Sequence, residues 1–147
     1  PKHTIRIVMF LDEEMAQRGA KRYFEQAQKE KHIAALESDR GGSTPLGFSI
    51  DANDTAYMKL KTWIGLFERY GIHQIIRGGS GVDIGPLKKL GVPLMAIMPD
   101  SQRYFDYHHC GFDTPDKVHQ RELQLGSAAM AALVYFIDQN GLKQTMQ

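Results

Sequence analysis

The sequence predicts an α/β fold built on a largely parallel sheet. Strand-like and helix-like patterns alternate along most of the chain, the order expected when helices connect neighbouring parallel strands. Two of the apolar runs, Ile5 to Leu11 and Val92 to Met98, are nearly continuous, as in strands covered on both faces. The length of 147 residues suits one domain with a proper core.

The first run, Ile5 to Leu11, leads into Asp12-Glu13-Glu14 and then a helix whose apolar side carries Ala16, Ala20, Phe24 and Ala27. His32 to Leu36 reads as the second strand and stops at Glu37-Ser38-Asp39-Arg40-Gly41-Gly42, where the glycines permit a sharp bend. Ser43 to Asp54 is expected to be a loop with a short strand at Gly47 to Ile50. Asn53 or Asp54 then caps a helix with a stripe of Ala56, Leu60, Trp63, Phe67 and Tyr70, ended by Gly71. His73 to Arg77 is a short strand, followed by Gly78-Gly79-Ser80-Gly81 and a short helix over Ile84 to Leu90. Val92 to Met98 is the next strand, with Pro93 at its start, where a missing donor is tolerated. Pro99 to Asp116 is a long polar and aromatic loop of the kind that is usually functional. A last helix runs from about Arg121 to Asn140 and stops at Gly141.

Ligands of such sheets gather at the carboxyl ends of the strands. Glu13 and Glu14 follow the first predicted strand, Asp39 the second, Ser80 and Asp83 the third, and His108 and His109 the fourth. All are therefore expected along one rim. Carboxylates with an imidazole and no cysteine cluster suit zinc or a similar divalent ion. A neighbouring carboxylate then serves as general base, and adjacent Glu13 and Glu14 can divide these roles. A Glu-Glu pair also suits the amino end of a helix through the macrodipole; Asp39 and His109 at matching strand ends favour the metal. Either His108 or His109 can be the imidazole ligand. Cys110 beside them reads as a small buried residue, Asp83 as a pocket residue or a helix cap, and Tyr104, Phe105 and Tyr107 as pocket lining or packing under the loop. Glu37 shares strand parity with Asp39 and reads as an indirect helper, while His32, His73 and His119 read as surface or loop residues.

The formal charge of +1 comes from scattered basic residues, which argues against nucleic acid or a membrane surface as partner. Leu125 to Ile137, the most apolar late segment, falls short of the roughly 20 residues that span a bilayer. No signal-peptide pattern is read. A single cysteine excludes an internal disulfide. Gly78-Gly79-Ser80-Gly81 fits neither a serine-hydrolase elbow, since Val82 stands where the last glycine is needed, nor a phosphate loop.

Three stretches carry a family resemblance. They are Phe10-Leu11-Asp12-Glu13-Glu14, Leu36 to Phe48 with its Glu37-Ser38-Asp39-Arg40-Gly41-Gly42 core, and Asp106 to Thr114 with His109 and Asp113-Thr114. Together they resemble the second half of the catalytic domain of the co-catalytic di-zinc exopeptidases, the bacterial leucyl aminopeptidase and plasma glutamate carboxypeptidase type. The resemblance implies a three-layer α/β/α domain, a peptide substrate and hydrolysis of a terminal peptide bond. It implies Glu13 as the base that takes a proton from the metal-bound water, Glu14 and His109 as ligands of one zinc and Asp39 as ligand of the other. The spacing to Asp113-Thr114 in that pattern favours His109 over His108. Asp83, Tyr107, His108 and Asp113 are expected to bind substrate or to support the ligands, Asp113 by orienting the loop or the second nitrogen of the histidine.

The family also supplies a further histidine and a bridging aspartate from a segment upstream of the Glu-Glu strand. His3 is the only imidazole before Glu13, and it stands at the opening end of that strand. The expectation is that residues 1–147 form one domain that is the C-terminal part of such a catalytic domain, incomplete at its N-terminal side, holding one zinc or none and inactive alone. An exposed sheet edge would then favour self-association, and a periplasmic or secreted address follows by resemblance. The rival reading is a non-catalytic binding or interaction domain that keeps the peptidase fold.

Overall fold

The computed structural model describes residues 1–142. Four strands, β1 (Ala35–Glu37), β2 (Pro45–Asp51), β3 (Gln74–Arg77) and β4 (Leu94–Pro99), form one sheet in the order β1-β4-β2-β3. β1 pairs parallel with β4, and β2 parallel with β3, but β2 and β4 run antiparallel. The sheet is thus mixed. The expected short strand at Gly47 to Ile50 is instead seven residues long and central, because Phe48 and Ile50 bury fully among the helices.

Helices cover both faces, giving the expected three layers. On one face Phe48, Ile50, Ile75, Met95 and Ile97 meet α2 (Asp54–Lys61), α3 (Ile64–Phe67) and α5 (Gln120–Asn140) in the main core. Phe67 stands edge-on to both Phe48 and Phe136, at 5.5 and 5.6 Å between ring centres, a favourable aromatic geometry. On the other face Ala35 and Leu94 pack with Ala27 of α1 (Arg18–Ala27), Ile84, Leu87 and Val92. Leu87 lies in a 3-10 turn, Gly85–Leu90, where the short helix was expected. Asn53 caps α2 by accepting from the amide of Ala56 at 2.9 Å. The predicted stripe from Ala56 to Tyr70 is interrupted after Lys61, where the Thr62 hydroxyl donates to the carbonyl of Lys59 at 2.7 Å and the turn tightens. Among the described residues, no helix is long and apolar enough to cross a membrane.

Residues 5–11 depart most from expectation. They form no regular element and pair with no strand of the sheet. Phe10 turns inward, edge-on to Tyr23 at 5.6 Å between ring centres, whereas Ile7, Met9 and Leu11 are 87%, 86% and 76% exposed. One face of this run is therefore covered, and no described residue covers the other. Its amino end is tied down by Asp138 of α5, whose carboxylate accepts from the amides of Lys2 and His3 and from Nδ1 of His3.

The antiparallel β2–β4 pair also corrects the single rim. The carboxyl ends of β1 and β4 point one way and those of β2 and β3 the other. The glycine-rich segment after β3 nevertheless reaches β1, by crossing a sheet face. Glu37, Ala96, Ser49 and Ile76 stand side by side in register, so their side chains share that face. The Ser49 hydroxyl donates to the carbonyl of Gly79 at 2.7 Å. Beyond it, the Glu37 carboxylate accepts from the amides of Val82 at 3.1 Å and Ile84 at 2.9 Å. This crossing runs close to its supports: a Cβ on Gly78 would lie 2.5 Å from Ser49 Oγ, and one on Gly81, at φ +114°, only 2.2 Å from the Glu37 carboxyl. The glycines that fitted no catalytic motif thus form a strap across the sheet.

Two outcomes follow. Gly81→Ala adds a side chain in a disfavoured backbone region and displaces a buried hydrogen-bonded carboxylate, so we expect a loss of about 2–4 kcal/mol in urea unfolding; an unaltered midpoint rejects the strap. The amides of Lys2 and His3, aided by His3 and Gln139 side chains, hold the Asp138 carboxyl down from its ordinary 3.8 to about 2. A depressed carboxyl pKa contributes stability above the unfolded value, which is lost as pH falls through the folded one. The Lys2 and His3 amide resonances should therefore shift between about pH 4 and 2, and Asp138→Ala should shift them at neutral pH; flat resonances through the acid titration count against the tether.

Candidate metal centre

Glu13 and Glu14 do not begin a helix. They sit in a turn bracketed by Asp12 at φ 67° and Gln17 at φ 53°, and α1 starts only at Arg18. The Asp12 carbonyl accepts from the amides of Ala16 and Gln17 at 3.2 and 2.7 Å. Its carboxylate takes a two-pronged grip from Arg18, with Nε at 2.6 Å and Nη2 at 3.0 Å. Left-handed backbone at non-glycine residues costs about 1–3 kcal/mol and persists where surrounding contacts impose it. The first turn of α1 holds no acidic residue, so the macrodipole explanation of the Glu-Glu pair fails. The turn presents both carboxylates to a cleft of about 490 Å³.

His109 reaches the same cleft from the far loop. That loop has more structure than expected: α4 (Tyr104–Tyr107) and a 3-10 turn, Pro115–Lys117. His108 stacks on Tyr104 at 4.5 Å and on His109 at 3.9 Å between ring centres. His109 itself has φ 54°, and its Nε2 lies 2.8 Å from Glu14 Oε1, 95 positions away in sequence. Of the two adjacent imidazoles, His109 is the one that touches a predicted ligand, and His108 is the one that supports its ring. Asp39, just beyond β1, lines the cleft with Tyr107, His108 and Asp113.

The remaining candidates divide. Asp113 makes no side-chain hydrogen bond among the described residues, so it does not orient His109 in this arrangement. Asp83 does not line the cleft, though its charge acts on Glu13; its Oδ1 is buried and unpartnered, and it caps no helix. Cys110 is exposed rather than buried, because the turns around His109 carry it outward. Phe105 is 83% exposed, while Tyr104 and Tyr107 line the cleft. His119 also lines it. His32 is half-buried, with Nε2 2.9 Å from the Tyr23 hydroxyl. Ser80 is buried and absent from the cleft wall. Sequence reasoning placed Glu37 near the site but missed its clamp on the strap, which needs the sheet register to be seen.

The electrostatics suit a cation. Partial burial pushes the Glu13 carboxyl above the ordinary glutamate range, reinforced by the charges of Glu14, Asp39 and Asp83 and opposed by His109. Asp83 is pushed up by burial and then by Asp39, and Glu37 chiefly by burial. Crowded carboxylates beside a carboxylate–imidazole contact have the donor chemistry of a zinc-type ion. Among the described residues, however, no three histidine, cysteine or acidic side chains are placed to enclose a metal. The donors fit in kind, and Glu14 and His109 are already adjacent, but a full shell is not assembled.

Carboxypeptidase Q of Bos taurus is 27% identical over 139 residues, covering 93% of this chain and 29% of that protein. Carboxypeptidase Q of Xenopus laevis is 31% identical over 118 residues, covering 78% of this chain and 25% of that protein. The crystal structure of a peptidase M28 precursor from Shewanella amazonensis SB2B superposes with a TM-score of 0.84 at 28% identity, over 94% of this chain and 32% of that one. The chain therefore spans roughly three-tenths of the length of these relatives. Residues 1–134, which hold the turn of Glu13 and Glu14, the end of β1 and the His109 loop, match Peptidase family M28, and the chain belongs to that family.

Proposed function

We propose that residues 1–147 are the C-terminal part of the catalytic domain of a metal-dependent exopeptidase that hydrolyses a terminal peptide bond. The observation that carries this reading is the 2.8 Å contact between His109 and Glu14 in a cleft that Glu13 and Asp39 also line. Glu14, His109 and Asp39 are the residues that would hold zinc. When bound, zinc supplies Lewis-acid polarisation of the scissile carbonyl and charge neutralisation among the carboxylates. Glu13 is the general base, taking the proton from the attacking water. Burial and the neighbouring carboxylates raise its pKa, which makes it a better proton acceptor than an ordinary glutamate. The adjacent backbone turn fixes its position without help from a flexible helix end. Tyr107, His108, Asp113 and Asp83 are proposed as substrate-side or supporting groups.

A second reading is a binding domain that keeps the fold without catalysis. Zinc uptake separates the two. We expect zinc to bind the chain in competition with a chelator, and Glu14→Ala or His109→Ala to weaken binding by at least the roughly 10–100-fold that even outer partners of a metal site are worth. No uptake at saturating zinc favours the binding domain, and uptake that Glu14→Ala and His109→Ala leave unchanged rejects these two as ligands. We also expect the chain alone to leave dipeptides intact, for want of the ligands that the family supplies from elsewhere. Robust hydrolysis that disappears in Glu13→Gln refutes that inactivity while supporting Glu13 as the base.

A further inference from the structure

The cleft contains three cationic side chains besides its histidines: Arg40, Arg103 and Lys117. Two are already engaged. Lys117 Nζ lies 2.7 Å from Asp116, and Arg103 Nη2 lies 3.4 Å from Glu122. Arg40 has no ion pair, hydrogen bond or ring contact among the described residues. Its freedom is unexpected in a cleft whose walls carry the carboxylates of Glu13, Glu14, Asp39, Asp113 and Glu122.

The backbone accounts for it. Arg40 follows Asp39 directly and precedes Gly41 at φ +79°. Gly42 lies so close to Val118 and Leu123 that a Cβ there would come within 3.0 and 3.1 Å of them. The bend is therefore seated against the far wall, and Arg40 stands at the cleft with an uncommitted guanidinium. We propose that Arg40 receives the free carboxylate at the C-terminus of a peptide. This rests on the exopeptidase reading and deepens it, since it makes the carboxyl end of the substrate the end recognised.

The chemistry selects this ligand class. A planar guanidinium presents paired N–H donors that match the two oxygens of a carboxylate. Five acidic side chains against three basic ones leave the cleft net negative before any metal binds, which disfavours a multiply charged phosphate. A peptide brings a single negative charge at one end of an otherwise neutral or cationic chain. A volume of about 490 Å³ accommodates a ligand of dipeptide size.

The test compares N-acetyl-L-phenylalanine with its neutral amide, N-acetyl-L-phenylalaninamide, by NMR titration of the chain with and without zinc. Wild type is expected to bind the acid about tenfold or more tightly than the amide, as befits a hydrogen-bonded charge pair. Arg40→Gln should bring the ratio close to one, and Arg40→Lys should retain part of it. Arg40 is exposed and unpaired, so its replacement leaves the fold intact, as circular dichroism will verify. A preference for the acid that survives Arg40→Gln places the receptor elsewhere, on bound zinc included, and overturns the proposal; so does wild-type protein that fails to prefer the acid. Zinc uptake reads Glu14 and His109 rather than Arg40, so rejection of the carboxylate receptor and rejection of the metallopeptidase are separate results.

Discussion

The constraint on which the rest of this structure depends is the antiparallel pairing of β2 with β4. It joins two parallel pairs into one sheet and sets Glu37, Ala96 and Ser49 in a single row. Ala96 is small, and the segment above it is rich in glycine, so the chain leaving β3 can lie close to the sheet and return to the end of β1. Without that return, Asp83 would be stranded at the opposite end from Asp39. The buried Glu37 carboxylate fixes the arrival by satisfying two amides, and buried polar groups are stable only when paired in this way.

The cleft is assembled from three independent backbone devices. A left-handed turn with an Asp12–Arg18 clasp aims the Glu-Glu pair. A glycine bend seated against the far wall carries Asp39 and Arg40. A stacked series of Tyr104, His108 and His109 holds the imidazole. Two of these devices place a non-glycine residue at positive φ, an unfavourable conformation that clusters at functional sites. None is a long regular element, which agrees with the general tendency for function to sit on loops over a rigid scaffold.

The candidate residues, though not their roles, were legible before the fold. Glu13, Glu14, Asp39 and His109 were singled out by residue type and by following apolar runs, and all four line one cleft. His109 rather than His108 touches Glu14, a difference between two adjacent imidazoles that residue type does not reveal. The rule that put the ligands on one rim was only partly sound. It held for the segments after β1 and β4 and failed for β3, whose direction depends on a partner strand that the local pattern does not reveal. The exposure of Cys110 was misread because it depends on the turns around His109, and His32, a loop residue, owes its half-burial to Tyr23.

What the sequence by itself determined is the set of local propensities: alternating apolar segments, the Asn53 cap, the Gly141 stop and the chemical character of the site residues. These follow from side-chain type and spacing, which act over a few positions. Tertiary structure alone decided the mixed strand directions, the strap over Ala96, the outward face of residues 5–11 and the meeting of Glu14 with His109. Each of those results from contacts between segments tens of residues apart, whose registers are set by competition among surfaces for burial and by hydrogen-bond satisfaction rather than by any local pattern.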